Sequence, residues 1–179
     1  MENTKLAVSF DPGAAHFGVA GVSYSLSRTG DETVELEFQK TFDIRNDQGG
    51  PDPDKLLEAL DDVELLVDSM EERHETKGET LWANEYQPPL NTRSNPGLVR
   101  NNTYVEAFVD SWILNEGKEH RKVPPSAVKR EFEFPRSESQ YRSNKRFAME
   151  IAKQLVKIPV NDHISDCVLN AVWCLRGSQ

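Results

Sequence analysis

The stretch Ala7-Val8-Ser9-Phe10-Asp11-Pro12-Gly13-Ala14-Ala15-His16-Phe17-Gly18-Val19-Ala20 constrains this chain more than any other. An apolar run ends in a carboxylate, Pro12-Gly13 turns the chain, and a second apolar run carries it back. The pattern predicts two strands, with Asp11 at the tip of the first, where its side chain can leave the core. Turn chemistry alone explains an isolated aspartate before Pro-Gly. The standing of Asp11 therefore depends on what other residues reach it.

Residues 5–10 and 17–24 read as those two strands. Residues 33–44 alternate Val34, Leu36 and Phe38 with charged neighbours and read as a third, half-exposed strand, joined to the second by the Thr29-Gly30-Asp31 turn. Asp52 is placed to cap a helix with Pro53 at its first position. Leu56, Leu60, Val63, Val67 and Met70 form its apolar stripe, ending near His74. Residues 80–86 predict a fourth strand. Residues 98–116 predict a second helix, with Val105, Phe108, Val109, Trp112 and Ile113 on its apolar face. Two prolines in 122–128 allow only a short extended piece at an edge. A polar loop over 134–142 precedes helices over 144–156 and 162–175, with Pro159 between them. The order β-β-β-α-β-α-β-α-α predicts an α/β fold, a mixed sheet with helices on both faces.

At 179 residues the chain is expected to form a single domain, 1–179, with one substantial core. No apolar run approaches the roughly 18 residues that span a bilayer, and the first residues lack a secretion signal. Cys167 and Cys174, the only cysteines, both fall on the last helix, which supports neither a disulfide framework nor a zinc site. A reducing, intracellular setting is the expectation, cytoplasmic or DNA-associated. The net charge of −9 argues against a polyanionic partner, but its distribution does not. Residues 1–85 carry 7 Lys and Arg against 20 Asp and Glu, whereas residues 86–158 carry 13 against 8. A basic segment behind an acidic one suits a local polyanion-binding face, and equally a pair of unequally charged solvated helices.

Asp11 ends the first strand and Glu85 the fourth. If those strands are parallel neighbours, the two tips lie side by side. The last helix opens Asn161-Asp162-His163-Ile164-Ser165-Asp166, whose spacing lets Asp162, His163 and Asp166 line its first turns. Helix capping is the alternative reading for Asn161 and Asp162. Asp11, Glu85 and Asp166, with His163 or Asp162, would then form a cluster of hard ligands that repel one another unless a divalent cation sits among them. Mg²⁺ or Mn²⁺, two ions in such a site, suits phosphodiester hydrolysis, and nucleic acid is the implied substrate.

These residues resemble the RuvC-type Holliday junction resolvases of the RNase H-like fold, in particular the poxviral and fungal mitochondrial branch. Phe10-Asp11-Pro12-Gly13 with Gly18-Val19-Ala20 is similar to the first motif, and Asn84-Glu85-Tyr86-Gln87 to the second. The 161–171 helix start resembles the closing acidic helix. Val123-Pro124-Pro125-Ser126-Ala127-Val128-Lys129 and Ser143-Asn144-Lys145-Arg146 resemble the lysine-bearing segments between them. Together the motifs cover roughly residues 5–175.

The resemblance implies a five-stranded sheet, strands 1–3 antiparallel and strands 4 and 5 parallel to 1. It implies Asp11, Glu85 and Asp166 as metal ligands, with His163 where the family usually has an acid, and Asp162 as the other candidate fourth ligand. Lys129 and Lys145 would stabilise charge at the scissile phosphate. Arg93, Arg100, Lys129, Arg130, Arg136, Arg142, Lys145 and Arg146 would contact DNA phosphates. The implied activity is Mg²⁺-dependent cleavage of four-way DNA junctions by a two-fold dimer, its interface through helix 98–116. For Phe108, Trp112 and Ile113, ordinary core packing is the equal alternative. The same carboxylates would serve a nuclease for other branched DNA or structured RNA. A catalytically inactive nucleic-acid-binding member is a further reading, and so is an actin-like kinase, for which the chain is short.

Overall fold

A computed structural model describes residues 4–76, 78–86, 96–135 and 141–177. Strands β1 (Lys5–Pro12), β2 (His16–Leu26) and β3 (Glu32–Asp43) form an antiparallel meander. Strands β4 (Leu81–Glu85) and β5 (His120–Val123) add on the other side of β1, each parallel to its neighbour. The sheet order is β3-β2-β1-β4-β5. The helices are α1 (Pro53–His74), α2 (Pro96–Asn115), α3 (Pro125–Glu131), α4 (Tyr141–Val156) and α5 (Asp162–Arg176). This is the mixed five-stranded α/β architecture expected from the chain.

The two faces of the sheet differ in side-chain size, and that difference decides what packs where. Leu6, Val8, Phe10, Phe17, Val19 and Trp82 point to one face and bury against α1 and α2. Phe10 stacks between Phe17 and Trp82 at 5.5 and 5.9 Å between ring centroids. On the opposite face Ala7, Ala20 and Ala83 lie under α5, with Leu81, Val22 and Val123 around them. Small side chains let α5 come down close to the sheet. Its residues Cys167, Val168, Leu169, Ala171 and Val172 are buried as a result, with α4 covering it outside.

At 122–128 and at two helix starts the structure departs from the sequence reading. The segment over 122–128 is not one extended piece: β5 ends at Val123 and α3 begins at Pro125. Pro124 and Pro125 permit this because a helix does not use its first N–H groups, and the fixed proline φ suits the first turn. α4 starts at Tyr141 rather than Asn144, and α2 at Pro96 rather than Leu98. Ile113 is fully buried, and Trp112 packs on Trp82 at 5.5 Å, so both belong to the core beneath α2. Both cysteines are buried in α5, and neither forms a disulfide among the described residues.

Arg176, in the last turn of α5, ties the helix to the far strand. Its Nη2 donates to Glu32 Oε2 at 2.6 Å and its Nε to Oε1 at 3.0 Å, while Tyr24 donates to the same carboxylate at 2.9 Å. The Arg176 hydrogen bond holds the Glu32 carboxyl below its ordinary value, against the opposing effect of burial. A depressed carboxylate contributes stability above its unfolded pKa and loses it as pH falls through the folded one. Glu32→Gln is therefore expected to be less stable than the parent at pH 7. Urea melts should show that gap closing as pH drops below about 4.5, the ordinary glutamate value.

Candidate active site

Asp11 is the next-to-last residue of β1, paired with Gly18 of β2 one step before the turn. Gly13 N–H donates to the Asp11 carbonyl at 2.9 Å and closes the turn. A side chain at residue 13 would place its Cβ 2.5 Å from the His16 carbonyl oxygen, so the close turn requires glycine. β1 and β4 run parallel in the register Phe10 to Asn84, which sets Asp11 and Glu85 side by side at neighbouring strand ends.

The first turn of α5 arrives above these tips. Asn161 caps it, its side chain accepting from Ile164 N–H at 2.9 Å. The expected cap at Asp162 is thus supplied one residue earlier. His163 Nδ1 lies 2.9 Å from Asp11 Oδ2, and Asp166 pairs with the Lys145 ammonium from α4. Gly18 makes this approach possible: a Cβ there would stand 3.0 Å from His163 Cβ and 3.5 Å from Asp11 Cβ. Asp162 does not line the cleft that the other acids share.

Helix α2 braces the opposite side. The buried Asn84 amide donates to Asp110 Oδ1 at 2.7 Å and to the Glu106 carbonyl at 3.1 Å. Lys122 of β5 pairs with both acids. One turn earlier, Asn102 Oδ1 accepts the Ala14 N–H at 2.8 Å and pins the loop that follows Asp11. Both strand tips are therefore held by the same helix.

Burial and the neighbouring acids dominate the electrostatics. Burial, with Asp11 and Asp166 close by, pushes the Glu85 carboxyl up to about 8, against the Asn170 amide that donates to its Oε2 at 3.1 Å. Burial also raises Asp166, although Lys145 pulls the other way. Hydrogen bonding to Asp11 raises His163, so the protonated imidazole is favoured. Cys167 lies beneath the acids, and burial keeps its thiol well above its ordinary value and inert.

Asp11, Glu85, His163 and Asp166 line one cleft of about 550 Å³, with Lys129, Lys145, His16, Asn102, Asn144, Phe134 and Asn170. Among the described residues no three His, Cys, Asp or Glu side chains form a group that could hold a metal ion as they stand. The donor chemistry nevertheless fits one. Three carboxylates and an imidazole from three elements face one space, and Glu85 resists ionising without a cation. Lys145 and His163 now supply the positive charge that a hard divalent ion would supply instead.

Lys129 and Lys145 both reach the cleft, Lys129 from the last turn of α3 and exposed. Arg100, Arg130, Arg142 and Arg146 are exposed on α2, α3 and α4, and Arg146 lies 3.8 Å from Glu150. Arg93 and Arg136 lie outside the described residues. Sequence reasoning passed over His16, whose ring sits 5.9 Å from that of His163, and over Asn170. The signal for Asn170 was its spacing: a polar residue four after Asp166, on an otherwise apolar helix face.

No protein-family model matches the chain, and no curated protein matches it. Solved structures do. The chain is similar to Thermus thermophilus RuvC at TM-score 0.64 and 14% identity, covering 97% of this chain and 96% of that one. It is similar to T. thermophilus RuvC in complex with Holliday junction substrate at TM-score 0.61 and 16% identity, covering 96% of each. The yeast mitochondrial Holliday junction resolvase Ydc2 overlaps more loosely, at TM-score 0.49 and 12% identity over 95% of this chain and 77% of that one. At such identities the RuvC likeness establishes the fold, a RuvC-like, RNase H-like sheet.

The buried Glu85 yields a stability test free of catalysis. Its raised carboxyl binds a proton in the fold that the unfolded chain releases near 4.5, so stability falls as pH rises from there towards about 8. In EDTA, Glu85→Gln should match the parent near pH 5 and exceed it above pH 8 by a few kcal/mol, roughly. Thermal melts across that range measure the gap, which saturating Mg²⁺ should narrow.

Proposed function

We propose that this protein is a divalent-metal-dependent endonuclease that cuts branched DNA, with four-way junctions its principal substrate and residues 1–179 its single nuclease domain. One observation carries the reading. Asp11, Glu85 and Asp166 come from β1, β4 and α5 to line one cleft, with His163 bonded to Asp11 and two lysines at its side. The RuvC fold adds support, and the motifs at Asp11, Glu85 and Asp166 favour the poxviral and fungal mitochondrial branch within it.

Asp11, Glu85, Asp166 and His163 would hold the ion, with Mg²⁺ the expected species and Mn²⁺ its substitute. The chemistry such ions supply, commonly as a pair, is polarisation of the phosphate and a lowered pKa for water. The protein's own residues do the rest. Asp11 can only accept at its carboxylate, so His163 carries its proton on Nδ1 and keeps Nε2 for a ligand or a second proton. The Lys145 ammonium, paired now with Asp166, turns to the phosphate when the carboxylate is otherwise neutralised. There it meets charge that grows on the non-bridging oxygens as water bonds to phosphorus and the ester oxygen leaves. Lys129 approaches the same phosphate from α3.

Arg100, Arg130, Arg142 and Arg146 suit flanking phosphates, and binding through them falls steeply with salt. The acidic α1 on the opposite face discourages duplex arms there. Two symmetric cuts in a junction call for a two-fold dimer. Leu98, Tyr104 and Leu114 expose apolar surface on α2 and are the contacts that remain for that interface once Ile113 and Trp112 are assigned to the core. No helix among the described residues is long and apolar enough to cross a membrane.

The test is a synthetic four-way junction beside matched duplex, a Y-fork and a structured RNA, with Mg²⁺ and in EDTA. Paired symmetric nicks in the junction alone are expected, with loss in EDTA and at least a hundredfold loss, roughly, in Asp11→Asn. Cleavage of the RNA in preference would move the substrate, and Asp11→Asn cutting as well as the parent would remove the metal site.

A further inference from the structure

Each of the three carboxylates in the cleft has one oxygen engaged by a donor. Asp11 Oδ2 meets His163 Nδ1 at 2.9 Å, Asp166 Oδ2 accepts from the Lys145 ammonium, and Glu85 Oε2 accepts from the Asn170 amide at 3.1 Å. A divalent cation acts differently on these donors. The Lys145 ammonium, and His163 while protonated, carry like charge and are repelled as the ion arrives. The Asn170 amide is neutral, so its bond to Glu85 can stay. Both ends of that bond are fixed. Asn170 is 2% exposed and lies four residues after Asp166 on the same side of α5. Glu85 pairs with Val123 of β5, and the following Tyr86 N–H donates to the Val123 carbonyl at 2.9 Å. One helix therefore supplies a candidate ligand, Asp166, and a tether for another, Glu85.

We propose that Asn170 is a positioning residue that holds Glu85 to one free oxygen and thereby favours a small octahedral ion, Mg²⁺, over Ca²⁺. The inference rests on the metal-site reading above and adds a residue that acts on the ion through Glu85. Mg²⁺ demands near-ideal octahedral geometry and keeps several waters. Ca²⁺ takes roughly six to eight oxygens in flexible geometry and accepts a carboxylate through both of its oxygens. A glutamate tied at Oε2 to a buried helix residue has Oε1 to offer. Turning both oxygens onto one ion gives up the Asn170 bond and leaves a buried amide unpaired.

Asn170 also reaches the cleft wall, and direct ligation through its Oδ1 is the rival role. The two roles respond oppositely to Asn170→Asp. That change keeps the size and a ligating oxygen, so a direct ligand would survive it. It also replaces the donor by a second carboxylate facing Glu85, so a tether would not.

The experiment titrates Mg²⁺ and Ca²⁺ separately into the metal-free protein, without DNA, by calorimetry, with melting temperatures in EDTA as the check on folding. Asn170→Leu and Asn170→Asp should each lower the preference for Mg²⁺ over Ca²⁺ by roughly tenfold, the usual scale for removing a residue that orients a metal ligand. Asn170→Asp carries the test if the leucine variant fails to fold. Crystals of the parent soaked with Mn²⁺ add a readout that needs no variant: Glu85 should ligate through one oxygen, with Asn170 still bonded to the other. Equal weakening of both ions in Asn170→Leu overturns the proposal, as does a parent-like preference in either variant. So does Mn²⁺ held by both Glu85 oxygens. A parent protein that binds neither ion, or an Asp11→Asn variant that binds them as the parent does, overturns the metal-site reading itself, and this inference with it.

Discussion

The depth to which α5 settles on the sheet governs the chemistry available at the cleft. The face beneath it is built from Ala7, Ser9, Ala20 and Ala83, while the bulk of the same strands, Leu6, Val8, Phe10 and Trp82, points the other way. At the end of the helix the constraint tightens to a single residue, Gly18, where even a methyl group would press on His163. A side chain there would have to move the helix or the strand. Interiors are close-packed and resist both, so the first turn of α5 would lift away from Asp11. Positions that look structural are thus what bring His163 and Asp166 to the strand tips.

Once that approach is made, the site holds more negative charge than a half-buried cleft accommodates. The protein balances it with groups that can also leave. Lys145 neutralises Asp166, His163 neutralises Asp11, and Asn170 donates to Glu85. These contacts hold the acids in place without a cation and keep each acid within reach of one. α2 adds rigidity through Asn84 and Asn102, so that any adjustment falls on the side chains rather than on the strands. The same economy explains the buried Cys167: a small apolar thiol fills the space under three acids without adding another charge.

Much of this was legible in the chain because it rests on local patterns. The Asp-Pro-Gly turn, the alternation in β3 and the apolar stripes of α1 and α5 each report one element through its own period. The juxtaposition of Asp11 with Glu85 followed once β1 and β4 were taken as parallel neighbours. What was not legible depends on which of two partners a residue finds. Pro124-Pro125 reads as a strand breaker and proves to be the start of α3. Trp112 and Ile113 have the same composition whether they face a core or a second subunit, and Trp82 decides for the core. Spacing alone allowed either Asp162 or His163 to face Asp11, because the cap could be Asn161 or Asp162. Phe134 and His16 gave no periodic signal at all; only the cleft assembles them with the acids.

On the proposed reading, Asp11, Glu85, Asp166 and His163 would hold one cation site between them. A crystal structure of the protein soaked with Mn²⁺, read by anomalous scattering, decides whether they do. The expected result is Mn²⁺ within roughly 2.0–2.3 Å of oxygens from Asp11, Glu85 and Asp166, with His163 rather than Asp162 beside them and the Lys145 ammonium withdrawn from Asp166. Saturating Mn²⁺ that leaves the Lys145–Asp166 and His163–Asp11 pairs intact and binds elsewhere would contradict it.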